Sequence, residues 1–303
     1  MTELIPLQRE RVDFGPVSVY LGLQKGKYPD CNQMIVNGRQ AQVAVDASRS
    51  TDLIAAHFDR SDLILLSHLH EDHIAGLKRV PNVPVQVHEK DLRALQSWEG
   101  LCEAAGHPPA ARAELRAAFE RDFDYAPRPT ATAYQDDAYW DLGGATLRAI
   151  PTPGHTAGHC SILVEEAELL FLGDIDLSTF GPYYGDVSSS IAEFRATLAK
   201  LPAIPAKVWV SGHHKGIYTE RELFLRDLAA YERRIEARDE KLLSYLSEAP
   251  HSLDALVERR LLYPKNFNAL YVEGVERRVI GRHLEGLIDQ GRVAEEEGVF
   301  RAL

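Results

Sequence analysis

Four metal-binding side chains fall within six consecutive positions of this chain: His68, His70, Asp72 and His73, in the segment Ser67 to His73 that reads Ser-His-Leu-His-Glu-Asp-His. A short turn can aim His68 and His70, two residues apart, at one ion, while Asp72 and His73 reach a second site beside it. Immediately upstream, Leu63-Ile64-Leu65-Leu66 is a continuous apolar run without alternation. That pattern predicts a strand buried on both faces, so the cluster sits where a core strand ends. A metal site needs such a rigid footing.

The 303 residues, 45% hydrophobic and 26% charged, suffice for one large domain and a smaller one. No apolar run of about 18 residues occurs. The opening segment, Met1 to Phe14, is broken by Glu3, Arg9, Glu10, Arg11 and Asp13. It therefore lacks a signal-peptide core, and the expectation is a cytoplasmic protein with no membrane partner. Cys31, Cys102 and Cys160 are too few and too scattered for a disulfide framework or a C-x-x-C site, and read as packing residues. A formal charge of −11 disfavours a polyanionic partner such as nucleic acid.

With His68, His70, Asp72 and His73 the chain meets the H-x-H-x-D-H signature and so resembles the metallo-β-lactamase superfamily. The resemblance implies an α/β fold, a four-layer αβ/βα sandwich, and a pair of divalent cations. By the same resemblance His155, in Thr152-Pro-Gly-His-Thr156, joins His68 and His70 on one ion. His213, in Ser211-Gly-His-His-Lys-Gly216, joins Asp72 and His73 on the other, and Asp174 after Leu172-Gly173 bridges the two. Asp72 and Asp174 are then the catalytic carboxylates. Asp46, at a strand end, and His159 are implied as residues that support the ligands without binding metal. Asp46 could equally be a turn or cap residue. Asp176 reads as a supporting or solvent-facing residue, and His214 as an alternative ligand or a pocket residue. Lys215 either meets an anionic substrate or stays solvated.

Around these motifs, strands are predicted over 17–23, 33–36, 42–45, 83–87, 131–134, 146–150, 161–164, 169–172 and 208–210, with Asn37-Gly38 as a hairpin turn. A helix is predicted over 51–58. Residues from about 89 to 125 are helical in pattern, with Leu92, Leu95, Trp98, Leu101, Leu115, Phe119 and Phe123 at core spacing. They read as a cap over the metals, with His107 exposed to solvent. Ser190-Ile-Ala-Glu193 and Thr219-Glu-Arg-Glu222 read as capping boxes. The second opens a long helix with Phe224, Leu228, Tyr231, Ile235, Leu242 and Leu246 on one face.

The chain is accordingly divided into residues 1–222, with the catalytic machinery, and 223–303, a linker helix followed by helices over 252–262 and 276–288 and a hairpin over 292–303. That tail resembles the winged helix of glyoxalase-II-like members, including an endoribonuclease-like branch. Its charge speaks against reading DNA: residues 241–303 hold nine Lys and Arg against ten Asp and Glu, and the wing tip is Glu295-Glu296-Glu297. Arg277, Arg278 and Arg282 are balanced by Glu276, Glu285 and Asp289. The tail is expected to pack on the catalytic part or on a second subunit in a homodimer, through Tyr263, Phe267 and Tyr271. Its removal is expected to leave metal binding intact.

Nitrogen and oxygen donors without thiolate suit zinc first, with iron or manganese as alternatives. Two neighbouring cations lower the pKa of bound water toward neutrality, so a metal-bridging hydroxide serves as nucleophile without Ser or Cys. The favoured reading is a hydrolase acting on an ester, thioester or lactone of a small metabolite. A nuclease or phosphodiesterase is the first alternative, and a non-catalytic ligand-binding or regulatory protein on the same fold is the second. After Asp174 the chain lacks the tyrosine of homoserine lactonases and the Gly-rich Arg stretch of glutathione-thioester hydrolases. Phe180 to Gly185 stands there instead, with Tyr183 and Tyr184 as candidate pocket residues.

Overall fold

The computed structural model describes residues 9–303; most of the opening segment weighed above for a signal peptide lies outside them. Two mixed sheets stack face to face. The first has seven strands in chain order: β1 (Arg11–Phe14), β2 (Val17–Tyr20), β3 (Gln33–Asn37), β4 (Gln42–Val45), β5 (Leu63–Leu65), β6 (Val85–His88) and β7 (Thr132–Tyr134). Its first four strands pair antiparallel and its last four pair parallel. The second sheet holds β8 (Tyr139–Asp141), β9 (Thr146–Pro151), β10 (Cys160–Val164), β11 (Leu169–Phe171), β12 (Val208–Val210) and β13 (Ile217–Tyr218), with β11 and β12 parallel.

The unalternating apolar run has a direct physical reason. Leu63 and Leu65 face the second sheet, in a core with Val43, Val45, Ile162, Phe171 and Val210, while Ile64 and Leu66 face helices on the opposite side. A strand covered on both faces has no solvent side to keep polar. The outer layer on that side is α1 (Glu89–Gln96), α2 (Trp98–Ala105) and α3 (Arg112–Phe123), packed through Leu95, Leu101, Leu115 and Phe119. On the far face of the second sheet lie α4 (Ile191–Lys200) and α5 (Arg221–Glu248), the latter stacking Phe224 flat on Trp209 at 4.4 Å between ring centres. The expected four layers are present.

Every apolar residue anticipated along α5 is buried, and so is Arg238, which the apolar spacing hid. Its guanidinium donates to the carbonyls of Phe180 (2.8 Å) and Pro182 (2.5 Å) and to the Tyr184 hydroxyl (2.7 Å), fastening the 180–184 segment. Ser190 caps α4 as expected, its hydroxyl accepting from the Glu193 amide. Thr219 does not cap α5: the residue before the helix is Glu220, and no side chain accepts there. The edge strands β1, β8 and β13 are further elements that the sequence did not announce. Two are half-exposed and one spans two residues, too short for a hydrophobic period to register.

Beyond α5 the chain forms β14 (His251–Ser252), α6 (Leu253–Arg259), α7 (Val272–Asp289), β15 (Val293–Glu296) and β16 (Val299–Ala302), the strands in order β14-β16-β15. One apolar cluster runs from Leu170 and Trp209 through α5 to Leu256, Val279 and Leu284. Glu276 is not a surface counter-charge on α7. It is fully buried, and its carboxylate accepts the amides of Leu261 (2.8 Å), Leu262 (3.1 Å) and Tyr263 (2.7 Å). Removing it strands those donors, at about 1–3 kcal/mol for each one that water cannot reach. Glu276→Ala is therefore expected to lower unfolding free energy by about 2–4 kcal/mol, read as a lower urea midpoint at unchanged slope.

Candidate metal centre

The loops at the strand ends bring seven residues together from four segments. His68 and His70 follow β5, and the single helical turn Glu71–Ile74 carries Asp72 and His73. His155 comes from the turn after β9. There Gly154 adopts φ +127, and a Cβ on it would lie 2.4 Å from the Phe194 backbone, so glycine is required. Asp174 follows β11 and His213 follows β12.

Each of the five imidazoles spends one nitrogen on the protein and turns the other inward. His68 Nδ1 meets Ser67 Oγ (3.0 Å), and His73 Nδ1 donates to Asp46 Oδ2 (2.7 Å). His155 Nδ1 donates to the Tyr183 carbonyl (3.0 Å), and His213 Nδ1 to the Gly26 carbonyl (2.7 Å). His70 is reversed: its Nε2 donates to Asp186 Oδ2 (2.8 Å). The inward nitrogens form two groups. His68, His70 and His155 gather beside Asp174 Oδ2, with His155 Nε2 at 3.2 Å and His68 Nε2 at 3.6 Å from it. Asp72, His73 and His213 gather beside Asp174 Oδ1, with His73 Nε2 at 2.9 Å and His213 Nε2 at 3.2 Å. One carboxylate thus faces both groups, one oxygen to each.

A cation fits this arrangement on the donors' own account. His68 Nε2, Asp72 Oδ2 and Asp174 Oδ1 are buried without a hydrogen-bond partner, and such groups cost free energy unless something binds them. His70 Nδ1 lies 2.8 Å from His155 Nε2, and His73 Nε2 lies 3.3 Å from His213 Nε2, so the ring nitrogens of each group converge. Burial alone would raise the Asp174 carboxyl, but the imidazoles of His213, His73 and His68 outweigh it and hold the group well below the ordinary range. Burial also opposes a charged His70, yet Asp186 reverses this and holds its pKa at about 9.

Asp46 and His159 take no place among the inward donors. Asp46 is fully buried, accepting from the Ser67 amide (2.7 Å) and hydroxyl (2.8 Å) as well as from His73. His159 donates from Nδ1 to the Thr152 carbonyl (2.9 Å) and accepts the Asp174 amide at Nε2 (3.1 Å); burial pushes its pKa down to about 3. Two supporting carboxylates escaped the sequence reading. Asp186 orients His70, and nothing in the stretch after Tyr184 signals it. Asp91 accepts from the Leu69 amide (3.2 Å), the Gly158 amide (3.1 Å) and the Thr156 hydroxyl (2.8 Å), tying one metal loop to the other. In sequence it reads as an ordinary acid in the first turn of a helix.

The centre opens into a cavity of about 410 Å³. Leu101, Ala104, Ala105 and Phe119 from the 89–125 helices line it, with Phe180 and Tyr183 and, from the tail, Tyr263, Phe267, Tyr271 and Val275. Tyr183 and His214 therefore hold pocket positions. Tyr184 does not: it is fully buried in the outer core, its hydroxyl bonded to His283 Nε2 at 2.8 Å. Lys215 also lies off the cavity, paired with Asp227 at 3.2 Å. His107 is not exposed to solvent. It is buried and lines the cavity, and both ring nitrogens lack partners.

A family model described as the metallo-beta-lactamase superfamily matches residues 59–213. Atrochrysone carboxyl ACP thioesterase of Aspergillus fumigatus is 26% identical over 183 residues, covering 60% of this chain and 47% of that protein. Hydroxyacylglutathione hydrolase of Acidiphilium cryptum is 32% identical over 170 residues, covering 55% and 56%. The chain spans about half the length of these curated relatives. A metallo-beta-lactamase family protein from Thermus thermophilus superposes with a TM-score of 0.70 over 95% of this chain and 99% of that one. At 21% identity this is a likeness of fold.

The two groups around one carboxylate predict two divalent ions per purified chain, counted by elemental analysis. Asp174→Ala should lower both occupancies, whereas His159→Ala should mainly cost stability; equal metal loss in the two would refute the assignment. A separate expectation concerns His107, whose burial pushes its pKa down from 6.5 to about 4. Between those values the unfolded chain binds more protons at this ring than the folded one does. Stability contributed here is thus full above about 6.5 and falls as pH drops toward 4, by about 3 kcal/mol. His107→Phe should flatten that part of the stability–pH curve.

Proposed function

The chain belongs to the metallo-β-lactamase superfamily, and from that premise we propose that it is a metal-dependent hydrolase of an ester, thioester or lactone, with a thioester of an apolar acyl group as the preferred substrate. The observation that carries this reading is the pairing of inward-facing ligands on both oxygens of Asp174 with a cavity whose walls are largely aromatic and aliphatic. His68, His70 and His155 would hold one ion and Asp72, His73 and His213 the other, zinc being the first choice for such donors. Bound there, the ions would lower the pKa of water and polarise the scissile carbonyl.

The residues divide the remaining work. Asp174 would hold both ions, one oxygen to each, and Asp72, with Oδ2 turned to His213, would orient the attacking water and accept its proton at its other carboxylate oxygen. The 89–125 helices and the tail enclose the acyl group, and Tyr183 and His214 border the reacting end. Among the described residues the cavity wall includes Glu71, Asp72, Asp91, Asp174, Asp176 and Asp186 but no Lys or Arg. A phosphodiester or an RNA strand would meet no cation there beyond the metals, which favours acyl transfer over phosphoryl transfer. We divide the chain at residues 222 and 223 and read the tail as a linker helix with a winged-helix-like unit that completes the pocket.

The metal-loaded protein should hydrolyse phenylacetyl and hexanoyl thioesters of N-acetylcysteamine, lose this activity on chelation and regain it with zinc. Asp72→Asn should lower kcat by about 100-fold or more while the protein stays folded. Cleavage of bis(p-nitrophenyl) phosphate with no thioester turnover would replace this reading with a phosphodiesterase.

A further inference from the structure

His107 is a buried imidazole for which the protein supplies no partner. It stands two residues beyond the end of α2, lines the cavity, and neither Nδ1 nor Nε2 makes a hydrogen bond. Trp98 and Phe119 flank its ring, at 6.4 and 5.9 Å between centroids. Those neighbours offer an apolar surface, which a phenylalanine would fill without leaving two polar atoms stranded.

The turn that carries His107 is clamped, so the backbone cannot move the ring toward a partner. Arg278 donates to the carbonyls of Ala105 (2.9 Å) and Gly106 (3.1 Å), and with its Nε to that of Gly185 (2.5 Å). Gly106 sits at φ +73, where a Cβ would lie 2.6 Å from Val187 and 2.7 Å from Arg278. The amide of His107 closes the helix on the Cys102 carbonyl, and its own carbonyl accepts from Arg112. What remains free is rotation of the ring itself, a soft torsion that can turn a nitrogen to the cavity face.

We propose that His107 is a specificity-determining residue: its neutral ring hydrogen-bonds an uncharged hydroxyl or carbonyl carried by the otherwise apolar acyl group. The class of substrate is then a hydroxylated or keto-substituted apolar acyl compound, with an aromatic body suited to the surrounding rings. This rests on the hydrolase reading only in naming the ligand a substrate. Burial holds the imidazole neutral at physiological pH, so it offers one donor and one acceptor and repels no uncharged group. A site built to bond a hydroxyl discriminates strongly against the analogue that lacks it, because the polar atom is then left unpaired.

Titration calorimetry with 4-ethylphenol and ethylbenzene tests this without requiring turnover. The wild-type protein should bind 4-ethylphenol roughly 10-fold more tightly than ethylbenzene. His107→Phe should abolish that preference while keeping affinity for ethylbenzene, and His107→Gln should restore part of it. Tyr125→Phe is the control. Its hydroxyl is a second buried, unpartnered group in the same aromatic cluster, off the cavity, and the preference should survive its loss. Equal binding of the two compounds, no binding of either, or a preference that survives His107→Phe would overturn the proposal. A preference that depends on His107 in a protein that cleaves no thioester would uphold it and reject the hydrolase reading.

Discussion

The carboxylate of Asp46 is the constraint on which the candidate metal centre rests. It lies at the end of β4 with no exposure and a left-handed backbone at φ +60, a conformation that aspartate tolerates better than most residues. An ionised carboxylate in that position would cost several kcal/mol if unpaired. Three donors, the Ser67 amide, the Ser67 hydroxyl and His73 Nδ1, remove that penalty and fix three groups of the metal loop at once. The strand pairing of β4 with β5 is thereby continued past the sheet by side-chain bonds. The loop that follows β5 inherits the rigidity of the core.

Asp91 applies the same device from the helical layer. Its bonds to Leu69, Thr156 and Gly158 join the loop after β5 to the loop after β9, which belong to different sheets. The two sheets pack chiefly through apolar side chains, and such packing sets their separation but not the rotation of an imidazole. Ligand geometry therefore depends on buried acids around the site: Asp46 for His73, Asp186 for His70, and Asp91 for the loops between them.

This explains which parts are legible in the sequence. His68, His70, Asp72 and His73 announce themselves by spacing, and the run Leu63–Leu66 announces the strand beneath them, because both depend on local order. The apolar face of α5 is readable for the same reason, residue by residue, while Arg238 within it is not. A guanidinium that reaches carbonyls more than fifty positions away leaves no local signal. His107 and Tyr184 show the same limit in opposite directions. A histidine beside Gly106 and Pro108 looks like an exposed turn, and its burial comes from the rings of Trp98 and Phe119 on either side. A tyrosine beside Tyr183 looks like its equal, yet neighbouring residues on an extended segment point to opposite sides. One reaches the cavity and the other meets His283.

The sequence suggests a tail dispensable for metal binding, and the contacts argue otherwise. Arg282 donates to the carbonyls of Tyr184 and Asp186, and Arg278 to that of Gly185, so α7 holds the segment that bears Asp186. Asp186 in turn orients His70, and the Tyr183 carbonyl orients His155. Two of the histidines proposed for one ion thus lean on a loop whose other side is fixed by residues nearly a hundred positions later. Arg278 and Arg282, basic residues of the kind a nucleic-acid-binding helix would present, are turned inward and spent on backbone carbonyls. The tail is consequently a wall of the pocket and an outer support of the metal centre together. A change in its packing would reach both acyl binding and ligand geometry through the single segment from Tyr183 to Asp186.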